Sequence, residues 1–450
     1  MILSDVFERF CQDSPLSVMA QGVMENAMNP RVLDQLFEDV AQKQFTHKLL
    51  FSTIVDLMSV VVCRIRPSIH VAFQARAETV GATIDAVYDK LDGTETAVSA
   101  ALVHAVATRL APVIDAMKGA RPDWLPGYRT RILDGNHLPG SEHRIKELRT
   151  IRAGALPGHA LVVLDPRLML ATDVVLCEDG HAQERSLLDQ ILAIVAAKDL
   201  WIADRNFCTT GFLFGIAQRG GSFVIRQHAS TLHWEFIGKR RACGRIDTGK
   251  VFEQTIRATN DAGDILVLRR ITVLLDQPTR DGETELHILT NVPAQDARAK
   301  VIAELYRRRW TIETAFQELE ATLQGEINTL GYPKAALFAF CVALVAYNVQ
   351  STIKAALRSV HGDEKVVEEV SGYYVADEIQ MTHRGMMIAI PEDEWVVFHD
   401  LPPAELADVL VSLARSVPCR SCASTRAARR SRSPRSRAGP RSSTSPQRRS

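Results

Sequence analysis

GYRTRILDGNHL, residues Gly127–Leu138, is the stretch at which the chain changes texture. Before it, residues 1 to about 125 read as helix. PRVLDQLFEDVAQKQF, FSTIVDLMSVVVCRI and AVSAALVHAVATRLAPVIDAM carry apolar residues three and four apart, and Asn29-Pro30 is a helix-start signal. Within the stretch, Tyr128 to Leu133 has the pattern of a short strand, which Asp134-Gly135 is expected to end. Downstream, HALVVLDPRLMLATDVVLCEDG supplies two β-rich runs around Asp165-Pro166-Arg167, a hairpin pattern. Glu184 to Lys198 has helical spacing, DLWIADRNF holds an apolar strand from Leu200 to Ala203 that stops at Asp204, TTGFLFGIAQRG reads as helix and SFVIRQH as strand.

Three strands, helix, strand, helix, strand predict an α/β fold, in the order of a ribonuclease-H-like core. From about Ala229 to Glu285, FEQTIRAT and DILVLRRITVLL alternate like strands, with turn signals at Asn260-Asp261 and Asp281-Gly282, and predict an inserted β-rich subdomain. LHILTNV, Leu286 to Val292, then returns the chain to the core as a strand, and one long helix is expected from about Asp296 to Leu323. The expected organisation is a helical domain over 1–125 as a candidate DNA-end-binding or dimerising module, a core over 126–228 and 286–350, the insertion over 229–285, a C-terminal segment over 351–415 and a tail over 416–450.

The chain has 450 residues, 46% of them hydrophobic, enough for two or three domains with sizeable cores. Its longest apolar run, Ala335 to Val349, falls short of the roughly 20 residues of a bilayer span and reads as a buried helix. The chain does not open on a secretory pattern, and eight scattered cysteines fit reduced thiols in a cytoplasm. Cys419 and Cys422 form a single CxxC without a second pair, which is weak as a zinc motif. The 53 basic and 53 acidic residues balance, but ten arginines lie beyond Arg415, so the body is about ten charges negative. The Arg/Ser/Pro-rich tail cannot build a core and is expected to be disordered; its alphabet also suits a shifted reading frame, which sequencing of the gene would test. A nucleic-acid surface on the body must therefore be local.

In YRRRWTIETAFQELE, Tyr306 to Glu320, a helix would set Tyr306, Arg309, Glu313, Gln317 and Glu320 on one stripe. Glu313 joins Asp134 and Asp204 as three carboxylates at matching places in the proposed core. Such a trio is costly unless cations neutralise it, and Mg²⁺ takes oxygen ligands while leaving room for phosphate oxygens. Two ions roughly 4 Å apart can activate a water or a 3′-hydroxyl and stabilise the leaving oxygen of phosphoryl transfer. Singly, each carboxylate has a plainer role: Asp134 as a turn former, Asp204 as the cap of a helix near Thr209 or the partner of Arg205, Glu313 as the partner of Arg308 or Arg309.

LDGN, IADRNF and the Tyr306, Arg309, Glu313 series resemble the three signature regions of DDE transposases from bacterial insertion sequences, in the branch marked by a Tyr-Arg-Glu-Lys helix. The resemblance covers about Arg129 to Asn348. It implies that Asp134, Asp204 and Glu313 are a catalytic triad holding two Mg²⁺ ions, for which Mn²⁺ can stand in, and that Tyr306 and Arg309 touch transposon-end phosphates. It further implies terminal inverted repeats and target DNA as partners, a homodimer on DNA, a nucleoid-associated cytoplasmic location and no membrane. The lysine expected at the last signature position is Glu320 here, a carboxylate that would repel phosphate. Lys239, Arg240 and Arg241 of KRRACGR are further DNA-binding candidates, or a solvated loop; Trp234 would stack on a flipped base, or pack within the insertion. His137 and His143 are given polar loop roles. Two other readings stand beside this one: a catalytically impaired relative that still binds DNA ends, and a helical interaction protein whose acidic residues lie far apart.

Overall fold

The computed structural model describes residues 4–43, 49–138, 158–180, 182–228, 232–279, 282–327, 330 and 332–418. The chain opens with helices α1 (Asp5–Asp13), α2 (Pro15–Ala27), α3 (Pro30–Val40), α4 (Phe51–Val62), α5 (Ile69–Gln74), α6 (Ala77–Val80), α7 (Ile84–Gly93) and α8 (Thr96–Ala116). Asn29-Pro30 starts α3 as its chemistry dictates. The Asn29 side chain accepts from Arg31 N at 3.0 Å, and Pro30 fills a position where no amide hydrogen is needed.

The α/β part follows as β1 (Arg129–His137), β2 (His159–Asp165), β3 (Leu170–Cys177), α9 (Leu188–Ile194), β4 (Asp199–Ala203), α10 (Thr210–Gln218) and β5 (Ser222–Arg226). β2 and β3 form the expected antiparallel hairpin, β1 runs antiparallel to β2 and parallel to β4, and β4 runs parallel to β5. Then come β6 (His233–Phe236), β7 (Arg241–Ile246), β8 (Gly249–Thr259), β9 (Ile265–Leu275) and β10 (Glu285–Thr290). The sheet order is β3-β2-β1-β4-β5-β10-β9-β8-β6, with β7 on β8. Because β10 pairs with both β5 and β9, the strands of the expected insertion prolong the central sheet.

Helices α11 (Ala299–Arg307), α12 (Trp310–Thr322), α13 (Pro333–His361), α14 (Asp363–Glu369), α15 (Gly372–Ala389), α16 (Glu392–Trp395) and α17 (Pro403–Ser416) complete the described chain. The single helix expected over 296–323 is two. Arg308 N bonds to Glu304 O and Leu305 O, both at 3.1 Å, and Arg309 N bonds to Tyr306 O at 3.0 Å, a tightened turn that interrupts the helix without Gly or Pro. The strand expected to stop at Asp134 also runs on. β2 keeps pairing with β1 as far as His137, so Asp134-Gly135 is strand and not turn.

Helices from both ends of the chain share one core. Phe51, Leu102, Phe340 and Leu410 are buried together with Ile132 and Leu164 from one face of the sheet. On the other face, Ile191 of α9 and Phe212 of α10 cover Leu133, Trp201 and Phe223. Each such fully buried large side chain contributes about 1.5–3 kcal/mol. The Ala335–Val349 run belongs to a helix of 29 residues, longer than expected. α8 and α13 have the length and mean hydropathy (1.6 and 1.7) of a membrane span, and the apolar window of α13 lies wholly inside the core, in agreement with the buried helix expected there.

One helical residue carries a pH prediction. His383 of α15 is buried, and burial together with Arg76 and Arg66 lowers its pKa to about 4. Its folded pKa lies below its unfolded one, so the unfolded chain gains a proton first and stability is lost as pH falls from about 6.5 toward 4, by up to about 3 kcal/mol. Thermal unfolding between pH 7 and pH 4 should show a shallower loss in His383→Leu than in the native chain; parallel curves would assign the loss to other groups.

Candidate active site

Parallel pairing of β1 with β4 ends at Leu133 opposite Ala203. The next residues, Asp134 and Asp204, therefore stand side by side where β1 and β4 stop pairing, at a strand spacing of about 4.8 Å. Asp134 stays within β1, opposite Val162 of β2, and its Oδ1 accepts from Gly135 N at 3.1 Å. Asp204 turns the chain out of the sheet, its Oδ1 accepting from Asn206 N at 2.6 Å at the start of a short 3-10 turn, Arg205–Phe207. The plainer roles open to Asp204 fall to other residues. Thr209 caps α10 through Phe212 N at 3.3 Å, and Arg205 pairs with Glu283 at 3.2 Å.

The third carboxylate arrives on α12. α11 packs against β5, β7 and β8, and the turn after it delivers Arg309 to the sheet edge. Arg309 is only 8% exposed; its Nη1 donates to Asp134 Oδ2 at 2.9 Å and its Nη2 donates to Glu313 Oε1 one turn along. Tyr306, also buried, lies beside Arg309; burial raises its pKa and Arg309 opposes this. The expected stripe is thus split: Tyr306 closes α11, Arg309 precedes α12, and Glu313 lies in its first turn.

α12 is fastened at several points. Arg64 Nη2 donates to Glu320 O and to Leu323 O, each at 3.0 Å, placing a cation at the helix C-terminus, and Gln324 N donates to Val62 O at 2.8 Å. Glu318 forms an ion pair with Lys354 of α13. Glu320 itself is exposed.

Burial drives the Asp134 pKa up to about 6; Arg309 opposes this, while Asp204 and Glu313 add to it. Burial works against the Arg309 charge, yet Asp134, Tyr306, Glu313 and Asp204 outweigh it and its pKa is raised. Among the described residues no three acidic, His or Cys side chains form a closed cation site. The central place is taken by the guanidinium, whose buried Nε has no hydrogen-bond partner there. An all-oxygen donor set that already gathers one positive charge fits a hard divalent cation, provided Arg309 withdraws.

Sequence reasoning missed a fourth carboxylate. Glu184, half-buried, opens a 3-10 turn, Glu184–Leu187, ahead of α9, and its Oε2 lies 3.5 Å from Asn206 Nδ2. Burial raises its pKa, and Asp204 raises it further. An acid at a helix start is so common that nothing in ERSLLDQIL marked it.

The remaining candidates lie elsewhere. Trp234 sits on β6, which β5, β10, β9 and β8 separate from β4; its ring meets Phe236 edge-on at 4.7 Å, and the Arg270 guanidinium lies 5.3 Å from its centre. Lys239, Arg240 and Arg241 are exposed, with Arg240 over the Phe252 ring at 4.2 Å and Arg241 paired with Glu253 at 3.4 Å. KRRACGR is not simply a solvated loop, since β7 begins at Arg241. His137 ends β1 opposite His159. His143, Asp281, Cys419, Cys422 and most of the tail lie outside the described residues.

A family model described as Transposase DDE domain matches residues 125–349. The chain is 25% identical over 285 residues to the transposase for insertion sequence element IS421 of Escherichia coli, covering 54% of this chain and 70% of that one. The putative transposase InsL for insertion sequence element IS186A, from Escherichia coli strain K12, is similar to the same extent, at 25% over 285 residues and with the same shares of the two chains covered, 54% and 70%.

Proposed function

Because this chain belongs to the DDE-domain transposase family and acts in DNA transposition, we propose that Asp134, Asp204 and Glu313 are its catalytic, metal-holding triad. The observation that carries this reading is the register that stops at Leu133 and Ala203, with Arg309 joining Asp134 to Glu313 across the edge so formed. The strand order β3-β2-β1-β4-β5, with the helices between, supports a ribonuclease-H-like core. The DDE family is in general dependent on a divalent metal. Two Mg²⁺ ions, or Mn²⁺ in their place, would supply Lewis acidity at the scissile phosphodiester and a nucleophile at neutral pH.

The chain's own residues do the rest. Asp134 and Asp204 are set by the sheet and Glu313 by α12, so the donors are positioned before DNA arrives. Arg309, once released from the carboxylates, is the cation closest to the scissile phosphate, and Tyr306 backs it. The nucleophile is first water, which nicks the DNA, and then the exposed 3′-hydroxyl, which is directed at target DNA. Terminal inverted repeats would be gripped by the helical region 1–125 and by the insertion 229–285 through Trp234, Lys239, Arg240 and Arg241, with two copies of the chain holding two ends. Tyr306, Arg309 and Glu313 match the Tyr-Arg-Glu-Lys pattern as Y-x2-R-x3-E, and Glu320 departs from it.

The test is nicking of a DNA that carries the element's own terminal inverted repeats, with Mg²⁺ and with chelator. Metal-dependent cuts at the repeat ends are expected. Binding of the ends without any cut would instead establish the impaired, end-binding relative, a reading that Glu320 favours. Glu320→Lys is expected to tighten end binding about tenfold at low salt, since one more phosphate contact is gained. Unchanged affinity across a salt titration would remove position 320 from the DNA face.

A further inference from the structure

We propose that Glu184 is a fourth carboxylate of the catalytic edge, which together with Asp134 and Asp204 would help to hold a divalent cation. This rests on the triad reading above.

The first observation is placement. The Glu184 carboxylate reaches from the turn before α9 to both aspartate-bearing segments, with Oε2 at Asn206 Nδ2 beyond β4 and Oε1 against Gly135 within β1. Its neighbour fixes that turn, since Arg185 Nε donates to Asn206 O at 2.9 Å. The second observation is the glycine. A Cβ at position 135 would stand 1.9 Å from Glu184 Oε1 and 2.7 Å from its Cδ, so any side chain there would make the flexible carboxylate end of Glu184 move aside. Gly weakens a strand by roughly 0.5–1 kcal/mol, and inside a strand it marks a close approach; here the group approaching is Glu184.

The third observation is charge. Arg309 forms its ion pairs with Asp134 and Glu313, whereas among the described residues Asp204 and Glu184 form none and feel positive charge only at longer range, Asp204 from Arg309 and Glu184 from His137. Asn206 serves both of them, through its backbone N–H to Asp204 and its side chain to Glu184, and a neutral amide cannot balance two carboxylates. A bound cation of hard character would answer both. A helix-start acid in its ordinary role would turn toward its own first-turn amides, and this carboxylate is spent on Asn206 and Gly135 instead.

The full chain is titrated with Mn²⁺ by calorimetry, and nicking is measured beside it. Glu184→Gln is expected to weaken Mn²⁺ binding about tenfold or more and to slow nicking, with Glu184→Asp recovering part of both. Gly135→Ala, which moves the carboxylate without changing charge, should weaken Mn²⁺ binding in the same direction. In chelator, Glu184→Gln should unfold at the native temperature or above it, because a like charge has been removed; a merely structural glutamate would lower it. Native Mn²⁺ affinity and nicking in Glu184→Gln overturn the proposal while leaving the triad standing. Native Mn²⁺ affinity in Asp204→Asn and Glu313→Gln as well overturns both.

Discussion

Glu313→Gln is expected to reduce Mg²⁺-dependent nicking by roughly 10³-fold or more, about 4 kcal/mol of transition-state stabilisation. The amide keeps the size and helix position of the acid but removes the charge that a divalent cation requires. It also removes one of the two anionic partners of Arg309, so the guanidinium is left with Asp134. Binding of the repeat ends in chelator should persist, because the phosphates meet the cations of the site and one negative charge fewer. Single-turnover nicking and a binding titration separate these effects. A variant that nicks within tenfold of the native rate would sink the role given to Glu313.

The second large effect concerns Arg309. Arg309→Ala leaves a half-buried Asp134 without its cation, at a cost below the roughly 3–5 kcal/mol of breaking a fully buried pair. In chelator the variant should therefore unfold several degrees below the native chain. Added Mg²⁺ should raise its unfolding temperature more than it raises that of the native chain, since the native protein must first displace its own guanidinium. Equal metal-induced shifts in the two proteins would mean that arginine and metal do not compete. Nicking should be lost in either case, because the residue assigned to the phosphate is gone.

The α/β order was legible because β1 to β5 and β8 to β10 each carried an apolar or alternating run, whereas the short, mostly exposed β6 and β7 carried none and were not expected. Asp134 and Asp204 were legible as a pair because the order makes their strands neighbours, and the register sets Leu133 opposite Ala203, although Asp134 lies within β1 and not after it. What local pattern could not carry is what depends on distant partners. β1 runs past Asp134-Gly135 only because β2 is there to pair with it. The helix breaks before Trp310 although Tyr306–Glu320 holds neither Gly nor Pro, and Arg309 meets an aspartate 175 positions earlier. Glu184 and Gly135 carry meaning only together. The insertion was legible as strands, but its attachment through β10 is a long-range pairing that alternation does not encode.

The fastening of α12 has a consequence for what can be cut from this chain. Residues 125–349 are the part that sequence similarity delimits. Val62 and Arg64, which hold the end of the Glu313 helix, lie before that span, and Lys354, the partner of Glu318, lies after it. A fragment trimmed to the span would keep every proposed catalytic side chain and lose the mountings that aim one of them. The unit of inheritance and the unit of mechanics are different lengths of the same polypeptide.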